Sequence, residues 1–126
     1  MYVLTVLSHF AGAHRLRHLH GKCEALHGHN WKIEVAVTSN QLGKEGIVID
    51  FGILKKKVEK VLKTLDHKFL NELPFLSRKE PSSENIAFYV FSQMEKDLKR
   101  YPVTVHSVTA WESETACATY IAKKDA

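Results

Sequence analysis

Apolar residues recur along this chain with two different periods. The run Tyr2-Val3-Leu4-Thr5-Val6-Leu7 is rich in β-branched residues and predicts a strand ending near His14. Over residues 27–38 the period is two. His27, His29, Trp31, Ile33, Val35 and Val37 fall on one face, and Asn30, Lys32, Glu34 and Ala36 on the other. After a turn at residues 41–46, Ile47-Val48-Ile49 predicts a short third strand. Then the period lengthens. Leu54, Val58, Val61 and Leu65 stand four, three and four apart and predict a helix from about residue 51 to 65, capped by Asp50. Ile86, Val90, Met94 and Leu98 predict a second helix, with Pro81 before it, Ser82 or Ser83 as its cap and Tyr101-Pro102 at its end. Two strands over residues 104–112 and 116–122 close the chain.

Strands at both ends with helices between them predict an α+β fold, an antiparallel four-stranded sheet with two helices on one face. Residues 1–126 are expected to form a single domain. Such a sheet has open edges, and joining edges between copies is one way to cover them.

Composition narrows the class. Hydrophobic residues make up 44% and charged residues 25%, which suits a packed globular chain and not a disordered one. The net charge of +4 fits an anionic small substrate as well as a nucleic acid. The lysines at 55, 56, 57, 60 and 63 lie along a predicted helix without interleaved aromatics, so no nucleic-acid partner is expected. No apolar run is long enough to span a bilayer, and no membrane partner is expected. Without a recognisable signal peptide, the two cysteines, Cys23 and Cys117, are expected in a reducing cytoplasm.

The chemistry centres on Cys23-Glu24-Ala25-Leu26-His27-Gly28-His29. Residues two apart in a strand share a face, so His27 and His29 can aim two imidazoles at one point. Imidazole is the commonest metal ligand, and zinc suits nitrogen-rich sites. A catalytic zinc usually has three protein ligands. The working hypothesis takes His14 as the third. By spacing Cys23 can be a fourth ligand; the hypothesis makes it a reactive thiol beside the metal. Alone, Asp66-His67 reads as a helix C-terminal feature, and Glu112 as an ordinary strand carboxylate.

Several segments, taken in order, give Asp66, His67 and Glu112 a different meaning. Phe10-Ala11-Gly12-Ala13-His14-Arg15-Leu16, Cys23-x-x-x-His27-Gly28-His29, Leu65-Asp66-His67-x-x-Leu70-Asn71, Pro81-Ser82-Ser83-Glu84-Asn85 and Glu112-Ser113 together resemble the 6-pyruvoyl-tetrahydropterin and 6-carboxy-tetrahydropterin synthase family. Ser82 and Ser113 stand where the family has threonine. The resemblance implies the tunnelling fold (T-fold), a homohexamer built as a dimer of trimers, and active sites at subunit interfaces. It implies zinc held by His14, His27 and His29. It implies Cys23 as general base, Asp66 and His67 as the partner acid/base pair, and Glu112 as a bidentate anchor for the pterin amino group and ring N–H. The implied substrate is 7,8-dihydroneopterin triphosphate, with Lys22, Arg15 and Arg17 as candidates to meet its phosphates.

The short gap between Cys23 and His27 and the compact chain resemble the bacterial carboxy members, which make a precursor of deazapurine bases such as queuosine. The pyruvoyl branch of the biopterin pathway is the alternative. A non-catalytic zinc- or pterin-binding protein is the alternative from another class. Cys23→Ala separates enzyme from binder. As the base, Cys23 is worth a factor on the order of 100 or more in turnover, so steady-state assays of the variant should show that loss while zinc stays bound. Unchanged turnover would remove Cys23 from the mechanism.

Overall fold

The computed structural model describes residues 1–17 and 25–123. Its elements are β1 (Tyr2–His14), β2 (His27–Ser39), α1 (Phe51–Leu62), β3 (Lys68–Phe69), a 3-10 turn (Leu70–Glu72), α2 (Ser83–Asp97), β4 (Thr104–Trp111) and β5 (Cys117–Ile121). The sheet runs in the order β3-β1-β2-β4-β5.

The α+β class and the two helices match the sequence pattern, but the sheet is not four-stranded and antiparallel throughout. A fifth strand, the two-residue β3, runs parallel to β1, with Gly12 beside Lys68 and Ala13 beside Phe69. The main pairs are antiparallel. A two-residue strand carries no periodicity of its own; β3 exists because the chain leaving α1 is drawn onto the free edge of β1.

The long central pair positions the site. β1 and β2 pair over thirteen residues each, from Tyr2 opposite Ser39 to His14 opposite His27. Alternation sends Val6, Phe10 and His14 from β1, and Trp31, Ile33, Val35 and Val37 from β2, to the helix side, where all are buried. Phe10 and Trp31 stack there with ring centroids 5.8 Å apart and planes 4° from parallel.

Both helices lie over that face. Leu54, Val58, Val61 and Leu62 of α1 and Ile86, Ala87, Val90, Phe91 and Met94 of α2 enter the same core as the strand residues. Each large aliphatic side chain buried this way contributes roughly 1.5–3 kcal/mol relative to exposure. Asp50 caps α1 by accepting from the Gly52 N–H, and Ser82 caps α2 by accepting from the Asn85 N–H. α1 stops at Leu62, short of the predicted residue 65; Leu65 is still fully buried, delivered by a turn.

The predicted strand at Ile47-Val48-Ile49 does not form. Gly46 takes φ +76°, and the Gly43 N–H bonds to the Ile47 carbonyl, so the chain curls and presents no straight edge to the sheet. Val48 and Ile49 are buried plugs of the core. Their hydrophobicity signals burial, which a curled backbone provides as well as a strand.

Strict alternation also fails in β4. Ala36 pairs with Ser107 and the next residue, Val37, with Val105, which leaves His106 as the extra residue of a β-bulge. Val105 and Val108 are therefore both buried, and the inward series continues through Ala110 to Glu112, one residue past the strand.

Asn71 ties the loop after α1 to the end of β1. Its amide accepts from the Arg15 N–H at 3.0 Å and donates to the Arg15 carbonyl at 2.9 Å, and the residue is buried. Asn71→Ala should leave both Arg15 backbone groups unpartnered and cost about 1–3 kcal/mol, read as a lower denaturant midpoint at unchanged slope.

Candidate metal centre and acid–base pair

Among the described residues, one group of side chains has the donors to hold a metal ion: His14, His27, His29 and Glu112, whose ligand atoms all lie within 4.8 Å of one another. The β1–β2 register builds it. His14 is opposite His27 and Gly12 opposite His29, so three imidazoles leave neighbouring positions on the helix-side face. Their centroids are 4.6–5.2 Å apart and their planes stand 68–85° to one another, edge toward face. Trp31 forms the floor, with its ring 5.1 Å from His14 and 5.6 Å from His29. Gly12 keeps the space beneath open, because a Cβ there would come within 3.0 Å of the Phe10 ring.

Hydrogen bonds set which nitrogen of two of the rings faces inward. The Nδ1 of His14 lies 2.7 Å from the Pro81 carbonyl, and the Nδ1 of His27 lies 2.8 Å from the Ala25 carbonyl. A carbonyl only accepts, so both Nδ1 atoms carry the hydrogen. In a neutral ring, Nε2 then presents its lone pair. The Glu112 carboxylate meets those atoms: its Oε1 is 2.8 Å from His14 Nε2, 3.1 Å from His29 Nε2 and 3.8 Å from His27 Nε2.

Electron-rich atoms at such distances repel unless a proton or a metal cation lies between them, and a metal cation can hold all four donors at once. For zinc, bonds of about 2.0–2.2 Å in a tetrahedron place neighbouring ligand atoms roughly 3.4 Å apart, within the 2.8–3.8 Å spread seen around Glu112. The backbone carbonyls on Nδ1 are the usual outer partners of metal-binding histidines. The donor set therefore fits a divalent metal.

The Asp66–His67 pair is not in this cluster. It sits where the chain leaves α1 and joins the β1 edge. Asp66 Oδ1 accepts from the Ala11 N–H at 2.9 Å, and the His67 N–H reaches the Ala11 carbonyl at 2.6 Å, so a single residue of β1 grips both. Asp66 Oδ2 lies 2.9 Å from His67 Nδ1. His67 takes φ +57°, an uncommon conformation for a residue other than glycine, worth on the order of 1–3 kcal/mol. Its side chain is 82% exposed. It borders a groove of about 550 Å³ with Ala11, Ala13, Gly28 and Asn30, and with His29 of the metal site. Ala11, Ala13, Gly28 and Asn30 alternate with the metal-site residues along their strands, so the groove runs over the open sheet face and reaches His29. A second groove, of about 560 Å³, opens at Glu112 between His9, Lys32 and Trp111.

The Asp66 carboxyl is held below its ordinary range. The Ala11 N–H is the main cause, partial desolvation opposes it, and His67 adds to the lowering.

Of the residues singled out from sequence, His14, His27 and His29 come together as expected. Glu112, expected to serve a separate task, converges on them. Cys23, with Lys22, His18 and His20, lies outside the described residues. Arg17 has structural work: its guanidinium donates to the carbonyls of Lys79 and Asn71 and lies 3.7 Å from Glu80. Sequence reasoning missed Pro81 as the acceptor for His14 and Trp31 as the floor. Trp31 continues the His27-His29 face and is visible in that period; a backbone carbonyl leaves no side-chain signal.

Comparison with known proteins finds relatives over nearly the whole chain. The family model described as 6-pyruvoyl tetrahydropterin synthase matches residues 3–123. A 6-carboxy-5,6,7,8-tetrahydropterin synthase of Synechocystis is 36% identical, covering 98% of this chain and 96% of its own. A 6-pyruvoyl tetrahydrobiopterin synthase of Poecilia reticulata is 32% identical over 82% of each chain. The solved 6-pyruvoyl tetrahydropterin synthase of Caenorhabditis elegans shares the fold at a TM-score of 0.82, with 24% identity over 97% of this chain and 96% of that one.

The lowered Asp66 carboxyl has a consequence for stability. A carboxyl that titrates lower in the folded protein stabilises it at neutral pH, and that stabilisation is lost as pH falls through the folded value. Melting curves of wild type and Asp66→Asn should thus differ most near neutrality and converge below about pH 4.

Proposed function

The chain belongs to the 6-pyruvoyl tetrahydropterin synthase family, and from that premise we propose that it is a zinc-dependent 6-carboxy-tetrahydropterin synthase. It would convert 7,8-dihydroneopterin triphosphate and one water to 6-carboxy-5,6,7,8-tetrahydropterin, acetaldehyde and triphosphate. The observation that carries the reading is the convergence of three histidines and a carboxylate within 4.8 Å, in a chain aligned over almost its whole length with a carboxy synthase.

His14, His27 and His29 would hold the metal. When bound, zinc supplies Lewis acidity toward the oxygens of the substrate side chain and so makes the neighbouring carbon more acidic. The protein's own groups do the rest. Cys23, as thiolate, takes the proton from that carbon; a free thiol has a pKa of about 8.5, and positive charge nearby favours the thiolate. Asp66 holds Nδ1–H of His67, which leaves Nε2 to exchange a proton with the substrate. Glu112 accepts the pterin amino group and ring N–H as a pair, and the groove beside it has room for a flat heterocycle. With Arg17 engaged by Lys79, Asn71 and Glu80, the triphosphate falls to Arg15 and Lys22.

His67 shares a groove with His29 without joining the histidine cluster, and its side chain is 82% exposed, which favours an active site completed by a neighbouring copy. A homohexamer formed as a dimer of trimers would supply it by joining sheet edges. Residues 1–126 would act as one domain, in the cytoplasm; no helix among the described residues is long and apolar enough to cross a membrane.

The pyruvoyl branch is the second reading, favoured by the relative of that name. Product analysis decides. Purified protein given 7,8-dihydroneopterin triphosphate should release acetaldehyde and triphosphate in equal amounts. Triphosphate without acetaldehyde would replace the carboxy reading by the pyruvoyl one.

A further inference from the structure

Glu112 faces two demands that one carboxylate cannot meet together. Pterin anchoring requires both of its oxygens to point at the heterocycle. In this structure Oε1 instead points into the histidine cluster, at 2.8 Å and 3.1 Å from two Nε2 atoms and 3.8 Å from the third. These spacings bracket the roughly 3.4 Å edge of a zinc tetrahedron, so a small shift would seat Oε1 as a fourth ligand beside the three histidines. Glu112 is about one-third exposed, follows the last residue of β4 and borders the groove at Lys32 and Trp111. It can therefore swing between the cluster and the groove by side-chain rotation, with its backbone held by the bond from its N–H to the Ala116 carbonyl.

We infer that Glu112 is a displaceable fourth ligand of the metal, a gate that closes the site at rest and opens it when the heterocycle arrives. The inference rests on the pterin reading above for its opening signal, and on the geometry alone for its closed state. The amino group and ring N–H draw the carboxylate toward the groove as a charge-assisted bidentate pair. One metal position is then released for the substrate side chain. A metal enzyme gated this way keeps adventitious anions and water off its metal until a ligand of the right hydrogen-bonding pattern is bound. Coupling of this kind is reciprocal: heterocycle weakens metal binding by the factor by which metal weakens heterocycle binding.

The test uses full-length protein loaded with Zn²⁺ for affinity by chelator competition, or with Co²⁺, whose visible spectrum reports the ligand set. Glu112→Gln should bind Zn²⁺ at least about 10-fold more weakly and shift the Co²⁺ spectrum. Circular dichroism checks that the variant is folded, and Glu112→Asp, which keeps the charge and shortens the reach, should also shift the spectrum. Weaker affinity with an unaltered spectrum would reduce Glu112 to a nearby charge and overturn ligation, as would wild-type values of both. The second arm adds pterin itself, which has no side chain to reach the metal. The wild-type Co²⁺ spectrum should move toward that of Glu112→Gln, and Zn²⁺ affinity should fall. Pterin that binds without either change would overturn the gate. No pterin binding at all would overturn the pterin reading and with it the opening step, while the difference between wild type and Glu112→Gln would still stand for the fourth ligand.

Discussion

Three imidazoles and a carboxylate whose ligand atoms all lie within 4.8 Å of one another are an arrangement that a proton or a metal cation between them makes favourable. The rest of the molecule can be understood as the support for that arrangement. Pro81 and Ala25 turn His14 and His27 so that Nε2 faces inward. Trp31, stacked on Phe10, fixes the floor. The thirteen-residue pairing of β1 with β2 fixes the relative height of the rings. A slip of one residue in that pairing would send an imidazole to the other face, so the core residues of both strands hold the register on behalf of the metal site.

The two halves of the chemistry are built by different means. The metal half is made by side chains on two long strands, with His14 1% exposed and its neighbours partly covered. The acid–base half is made by backbone: Ala11 receives one hydrogen bond and gives another, and His67 is held in a left-handed conformation by that grip. The histidines of one half are set by the register of the strand pair, and the other half by backbone hydrogen bonds. That division suits a site assembled across two chains, in which each part must keep its shape before the other arrives.

Much of this is legible in the sequence. The period of two in residues 27–37 locates β2 and the histidine face, and the spacing of Leu54, Val58 and Val61 locates α1, because both patterns record which side meets the core. What escapes are features that depend on partners far along the chain. Ile47-Val48-Ile49 has the composition of a strand, but strandness needs an edge to pair with, and the core takes the side chains without the backbone. β3 resembles loop because two residues show no period. The chemistry of Glu112 points toward a ligand, and its convergence on the histidines depends on the sheet order, which places β4 beside β2. The role of His14 is within reach because it closes the strand-like run that begins the chain; the carbonyl that orients it is not.

The bulge at His106 has a consequence for how this strand can change over time. Val105 faces the core; in an unbroken strand Ser107, Thr109 and Trp111 would face it too, and an indole would meet the histidines. The one extra residue shifts the count, so that Val108, Ala110 and Glu112 face inward instead. The identity of the side chain delivered to the metal site is thus set by arithmetic as much as by chemistry. Substitutions at outward positions such as Ser107 or Thr109 leave that arithmetic untouched. A single-residue insertion or deletion between Val105 and Val108 changes its parity. β4 should therefore drift freely in composition on its open face while its length in this interval stays fixed, like a reading frame written in side chains.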